Sequence, residues 1–247
     1  MKKYKAVIFD LFDTVVNFNP SSLPSTLING VQVRSTSSAV YEVFKKFYDH
    51  VEFDEFHTPF VESFVEFQKN KLEEHRESHN RERFKLMLNK MRIEDDLHSE
   101  EILDEMVLAH MGEIAGAVDF PEENKAVLEI LKKDYRLALV SNFDYAPTAY
   151  AILEKFDITR YFEKIVISME VGWRKPKSDI FHKCLTLLGI KPEEAIFIGD
   201  NFDADVVGAK AVGMDVIWIN KNNEPDRERD IKPDYTVSKL AEINELF

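Results

Sequence analysis

A single cysteine, Cys184, leaves no partner for an internal disulfide and rules out a thiolate metal cluster. That usage suits a reducing compartment, and a cytoplasmic protein is expected. Positive charge is short as well: 32 Lys and Arg stand against 45 Asp and Glu, a formal charge of −13. The broad basic footprint of a nucleic-acid or anionic-lipid binder is therefore missing, so neither nucleic acid nor membrane is expected as a partner. Long apolar runs are absent too. Nowhere do about 18 uncharged apolar residues follow one another, and the apolar start at residues 6–9 is too short for an export signal. Glycine (8) and proline (9) are sparse, which argues against a fibrous or low-complexity chain.

What is present is a packed globule, 45% hydrophobic and 12% aromatic over 247 residues, with room for one large domain or two modest ones. Short Val- and Ile-rich runs at 4–9, 136–140, 164–167, 195–198 and 215–219 each end at a polar or Gly-containing turn, the signature of buried parallel strands. Helical patterns lie between them at 121–133, 178–188 and 203–212. Such alternation predicts an α/β fold, a Rossmann-like doubly wound sheet with helices on both faces.

Between the first and second runs lie about 125 residues, far beyond what a crossover needs. Val40, Val43, Phe44, Phe47 and Val51 recur there at helical spacing, as do Phe60, Phe64 and Phe67, then Phe84, Leu88 and Met91, then Ile102, Met106 and Ala109. Four or so helices packed on one another are expected, with the phenylalanines as core. The division read from this pattern is 1–16 with 117–247 as the core, and 17–116 as an inserted helical domain with its connecting segments, of which 17–26 is read as the exit. His75 and His79, four apart in the charged segment 69–83, could hold a metal on one helix face, but with no further ligand nearby a solvated face is expected. Cys184 is placed in the core, and His182 toward solvent.

In an open parallel sheet, reactive groups collect where strands end at their carboxyl edge. Those positions here carry Asp10, Phe12, Asp13 and Thr14 after the first run, Ser141 and Asn142 after the second, Arg174 and Lys175 after the third region, and Asp200, Asn201 and Asp205 after the fourth. A carboxylate, a hydroxyl, a lysine and a second carboxylate make a plausible phosphoryl-transfer site. Asp10 could attack phosphorus to give an aspartyl-phosphate. Asp10 and Asp200 together supply the hard oxygens that Mg²⁺ takes. Lys175 would balance charge, and the Ser141 hydroxyl could hold phosphate oxygens.

The order of these segments resembles the haloacid dehalogenase superfamily, in the branch with a helical cap between the first and second motifs. Asp10 with Thr14 is similar to motif I, Ser141 in VSN to motif II, Lys175 in RKPKSDIF to motif III, and GDNFDADVVGAKAVGM to motif IV. The resemblance implies catalytic roles for Asp10, Ser141 and Lys175, and substrate contacts from Ser141, Asn142 and Thr14. It implies Mg²⁺ on Asp10, Asp200 and the backbone carbonyl of Phe12, Asp205 and Asn201 supporting that site, and a cap closing over a small phosphorylated metabolite. Arg34, in the segment entering the insertion, is a candidate anchor for an anionic substrate.

One position departs from the family's phosphatases, which carry an Asp two residues after the nucleophile to protonate the leaving group. Here that residue is Phe12, with Asp13 one place later and read as a turn residue. An aromatic there is similar to the 2-haloacid dehalogenases, whose halide leaves without a proton. Those enzymes work without metal, whereas this chain has GDN at 199–201 followed by Asp205. Three readings stay open on sequence: a phosphatase, a dehalogenase-like hydrolase, and a binding protein with little turnover.

Overall fold

The computed structural model describes residues 4–28, 30–93, 99–224 and 230–246. Its contacts divide the chain into two compact units, residues 1–17 with 119–247, and residues 18–118.

The chain enters as β1 (Ala6–Phe9), whose four residues are all buried. Two short strands, β2 (Asn17–Phe18) and β5 (Val118–Asp119), pair where it crosses between units, so the division falls inside them rather than at residues 16 and 116. The second unit holds an antiparallel hairpin of β3 (Ser25–Ile28) and β4 (Val31–Arg34), then α1 (Ser37–Phe44), α2 (Phe53–Glu74), α3 (Asn80–Lys90) and α4 (Ser99–Gly116). The expected four helices are present among the described residues. The hairpin is additional, and occupies part of the stretch read as a connection. Val40, Phe44, Phe60, Phe67, Phe84, Leu88, Ile102 and Met106 are buried as expected, but Phe64 is 44% exposed.

The charged segment 69–83 departs most from its reading as a solvated face. Lys71 and Glu77 are buried and paired at 2.6 Å. Arg83 is buried with its guanidinium 4.4 Å from the Phe60 ring centroid, and it donates to the Phe60 carbonyl at 3.3 Å. The long stems of these side chains fill core space, and their charges are met by partners inside it. His75 and His79 do not share a helix face. His75 ends α2 in the left-handed region (φ 53°), whereas His79 precedes α3 and accepts the Arg81 N–H through Nδ1.

The first unit resumes with α5 (Glu122–Leu131), β6 (Arg136–Ser141), α6 (Ala146–Lys155), β7 (Lys164–Ile167), α7 (Ser168–Val171), α8 (Ser178–Leu188), β8 (Ala195–Gly199), a π-helical turn at Phe202–Val206, α9 (Val207–Ala211), β9 (Asp215–Ile219) and β10 (Tyr235–Val237). Six strands form one sheet in the order β10-β9-β8-β1-β6-β7, each neighbouring pair parallel. The α/β, Rossmann-like reading is therefore correct. The order reverses around β1, the switch point at which crevices open beyond the strand ends. Helix α8 shows how the pattern builds the layer: Ile180, Phe181, Cys184, Leu185 and Leu188 are buried on one face. It ends at Gly189, whose φ of 64° suits a residue without Cβ. Cys184 lies in this core, where burial pushes its thiol up to about 12, and His182 is exposed. Among the described residues no helix is long and apolar enough to cross a membrane.

Candidate active site

The site assembles at the carboxyl edge of the first unit's sheet. The Asp10 N–H donates to the Ile198 carbonyl at 2.9 Å, extending the β1–β8 ladder by one bond and setting the Asp10 side chain just past both strand ends. Residues 11–16 then turn tightly. The amides of Val15 and Val16 both donate to the Leu11 carbonyl at 2.9 Å. Asp13 takes φ 58°, and the buried Asn124 of α5 donates through Nδ2 to the carbonyls of Thr14 (3.3 Å) and Val15 (2.9 Å). Asp13 lies within this turn, its carboxylate 3.6 Å from Lys221 Nζ.

Lys175 is the electrostatic centre. It is 3% exposed, and its Nζ lies 2.6 Å from Asp10 Oδ1 and 2.7 Å from Asp205 Oδ1. Its backbone is clamped by Asn142: the Lys175 N–H donates to Asn142 Oδ1 at 2.8 Å, and Asn142 Nδ2 donates to the Lys175 carbonyl at 3.0 Å. Asp205 is oriented in turn by the Asn201 N–H, which donates to its Oδ2 at 2.9 Å, while Asn201 Oδ1 accepts from the Ala204 amide. The exposed Asn201 thus acts as the cap of the π-turn. The Asp200 carbonyl accepts from Trp218 Nε1 at 2.8 Å.

Gly199 makes this approach feasible. A Cβ there would overlap the Asp205 carboxylate. Gly199→Ala should push Asp205 off Lys175 and lower the stability of the first unit by about 1–3 kcal/mol, the usual penalty for overpacking. Urea denaturation measures this, and an unchanged midpoint would show that Asp205 does not need the space.

The carboxylate oxygens of Asp10, Asp200 and Asp205 come within 4.8 Å of one another, three acids facing one ammonium. Burial and the neighbouring Asp205 charge push the Asp10 carboxyl up to about 6, although Lys175 pulls the other way. Burial together with the charges of Asp10, Asp205 and Asp13 pushes Asp200 up to about 7. Burial alone would lower the Lys175 ammonium, but Asp10 and Asp205 hold it above the ordinary lysine value. A cluster of hard oxygens carrying excess negative charge fits a divalent cation such as Mg²⁺.

Among the described residues, two buried hydroxyls, Thr14 Oγ1 and Ser141 Oγ, have no hydrogen-bond partner, and neither has the Arg174 Nη1. Buried polar atoms are seldom left so, and the two hydroxyls mark the ends of the β1 turn and of β6 as places where further acceptors fit. Phe12 is half-buried and stacks on Phe143, ring centroids 4.9 Å apart.

The structure therefore groups Asp10, Lys175, Asp200 and Asp205 directly, with Asn142 and Asn201 holding their backbones. Arg34 belongs to the other unit, where it is exposed and donates through Nη1 to the Leu23 carbonyl at 2.9 Å. Sequence reasoning missed Asn124, Phe143, Trp218 and Lys221. Phe143 and Lys221 do follow strand ends, the same signal that picked out Asp10. Asn124 and Trp218 lie within elements and carry no such mark.

A family model described as haloacid dehalogenase-like hydrolase matches residues 4–213, from just before β1 to past the end of α9. The chain belongs to the haloacid dehalogenase-like hydrolases. Among curated relatives in this group, the glyceraldehyde 3-phosphate phosphatase of Methanothermobacter thermautotrophicus is 30% identical over 142 residues, covering 57% of this chain and 62% of that protein. The N-acylneuraminate-9-phosphatase of Homo sapiens is 33% identical over 127 residues, 51% of each chain. The chain thus spans about half to three fifths of the length of these relatives. Among solved structures, the 2-haloacid dehalogenase from Pseudomonas syringae pv. Tomato DC3000 superposes with a TM-score of 0.73 at 20% identity, covering 98% of this chain and 97% of that one. At that identity the likeness concerns the fold, which hydrolases of different chemistry share.

Proposed function

We propose that this haloacid dehalogenase-like hydrolase is a Mg²⁺-dependent phosphatase acting on a small phosphorylated metabolite, with Asp10 as nucleophile and the helical unit as a cap over the substrate. The observation that carries the reading is the buried Asp10–Lys175–Asp205 array with Asp200 beside it, three carboxylates against one cation. The phosphatase names of two relatives add to it.

In this account Lys175 holds the Asp10 carboxylate in place and offsets charge on the transferring phosphoryl group. The Ser141 and Thr14 hydroxyls, each lacking a partner among the described residues, donate to phosphoryl oxygens. Asp10 forms an O–P bond as the ester O–P bond breaks and the leaving group departs with the electron pair of that bond. Water then attacks phosphorus and releases the Asp10 carboxylate and phosphate. Mg²⁺, held by the carboxylates of Asp10 and Asp200 and the Phe12 carbonyl, would supply Lewis-acid neutralisation of the phosphoryl oxygens. Asp205 orients Lys175 and the 199–201 turn. Asp200→Ala should raise the Mg²⁺ concentration needed for half-maximal rate and lower the rate by about 10²-fold or more. A Mg²⁺ titration of both proteins checks this, and identical curves would remove Asp200 from the metal site.

The half-buried Phe12–Phe143 pair favours a second reading, a dehalogenase-like hydrolase with an apolar cradle for the leaving group. Phosphate release from p-nitrophenyl phosphate with and without Mg²⁺, run beside halide release from 2-chloropropionate, separates the two. Metal-dependent phosphate release without halide release supports the phosphatase, and the reverse pattern replaces it.

A further inference from the structure

Phosphoryl transfer to Asp10 leaves an electron pair on the departing oxygen. An alkoxide needs a proton at that moment, whereas a phenolate or carboxylate does not. The groups beside Asp10 are mostly committed. Lys175 Nζ is shared between Asp10 and Asp205, and both oxygens of Asp205 are engaged, one by Lys175 and one by the Asn201 amide. The Asp13 carboxylate lies toward Lys221 on a turn fixed in the left-handed region. Two half-buried phenyl rings stand instead at the ends of β1 and β6, the neighbouring strands that carry Asp10 and Ser141: Phe12, two residues past Asp10, and Phe143, two past Ser141. Their planes are inclined by 24° with centroids 4.9 Å apart. The Phe143 end of this wall is anchored, since its amide donates to Ser168 Oγ at 2.9 Å and that hydroxyl donates back to the Phe143 carbonyl.

We propose that the substrate's leaving group docks on the Phe12–Phe143 pair, and that the enzyme selects phosphoryl compounds whose leaving oxygen is weakly basic, phenolic or carboxylic. This rests on the phosphatase reading. The balance needs no acid in the first step: the ester O–P bond breaks, the Asp10 O–P bond forms, and the leaving group departs as an anion. In the second step water adds to phosphorus, Asp10 leaves as carboxylate, and the water's protons end on phosphate and bulk solvent.

The test is kcat/KM of the full chain with Mg²⁺ on p-nitrophenyl phosphate, phenyl phosphate, acetyl phosphate and glycerol phosphate. Values for the weakly basic leaving groups should exceed that for glycerol phosphate by about 10²- to 10⁴-fold, the span of a missing general acid. Phe12→Asp should narrow that gap by raising alkyl turnover, and Phe143→Ala should raise KM more for the aryl esters, which have a ring to stack, than for acetyl phosphate. Near-equal values across the wild-type series would overturn the inference while leaving the phosphatase reading intact. So would selective loss of glycerol phosphate turnover in Asp13→Asn, which would identify a general acid. No phosphate release from any of the four would overturn the phosphatase reading itself, and this inference with it.

Discussion

Asp10→Asn should abolish phosphate release, by about 10⁴-fold or more, while the protein stays folded. The amide retains the size of the carboxylate and still offers Oδ1 to Lys175, whose Nζ lies 2.6 Å away in the wild type, so β1 and the turn after it have no reason to move. What is lost is the nucleophilic oxygen. The substitution also removes one of three clustered negative charges, so the repulsion that, together with burial, pushes Asp200 up to about 7 is partly relieved. The metal-free variant should therefore be as stable as the wild type at pH 8 or more so, and thermal unfolding beside a phosphate-release assay checks both halves. Wild-type turnover in the purified variant would exclude Asp10 as nucleophile.

Lys175→Met should be the most damaging substitution to the first unit. Methionine fills most of the stem's volume, but the variant leaves Asp10 and Asp205 buried with no cation between them, an arrangement worth about 3–5 kcal/mol against the fold. The loss should depend on pH with a definite sign. Asp10 and Asp200 have native pKa values raised to about 6 and about 7, so the folded protein holds more protons than the unfolded chain between about pH 4 and pH 7, and stability falls as pH rises through that window. Without Lys175 the fall should steepen, so the difference between variant and wild type in urea midpoint should be small near pH 4.5 and large near pH 8. Millimolar Mg²⁺ should recover part of it at pH 8. A difference independent of pH and of Mg²⁺ would mean that lost packing, and not uncompensated charge, sets the penalty.

Much of this site was legible because buried parallel strands read as unbroken apolar runs. Residues 6–9 and 195–198 are buried throughout, so the polar residues that end those runs, Asp10 and Asp200, announce themselves. The same rule reached Ser141, whose strand extends one residue further than the apolar run. Elements with a mixed environment were not legible. Strand β10 is only partly buried, its pattern interrupted at Thr236, and the β3–β4 hairpin is half solvent-facing, so neither carries a continuous run. The segment 203–212 was read as one helix, whereas Phe202–Val206 is a π-turn that lengthens the path to α9 and brings the Asp205 carboxylate within reach of Lys175.

Charged residues inside the helical unit were misread for a related reason. Lys71, Glu77 and Arg83 are polar by type, and only tertiary packing reveals that their partners are buried with them. The spacing of His75 and His79 suggested one helix face, but a left-handed residue at His75 breaks the period between them. Asn142 is read from the sequence as a substrate contact, and its side chain is found clamping the Lys175 backbone. A strand-end position foretells proximity to the site and not the partner a side chain will take.

Acid quench of the wild-type enzyme during turnover of p-nitrophenyl phosphate with Mg²⁺, followed by mass spectrometry of the peptide spanning Asp10, addresses the proposed chemistry at its first step. The account predicts a phosphoryl adduct on Asp10 that disappears in Asp10→Asn and when Mg²⁺ is removed. Steady phosphate release with the adduct on another residue, or with none trapped under single-turnover conditions, would contradict it.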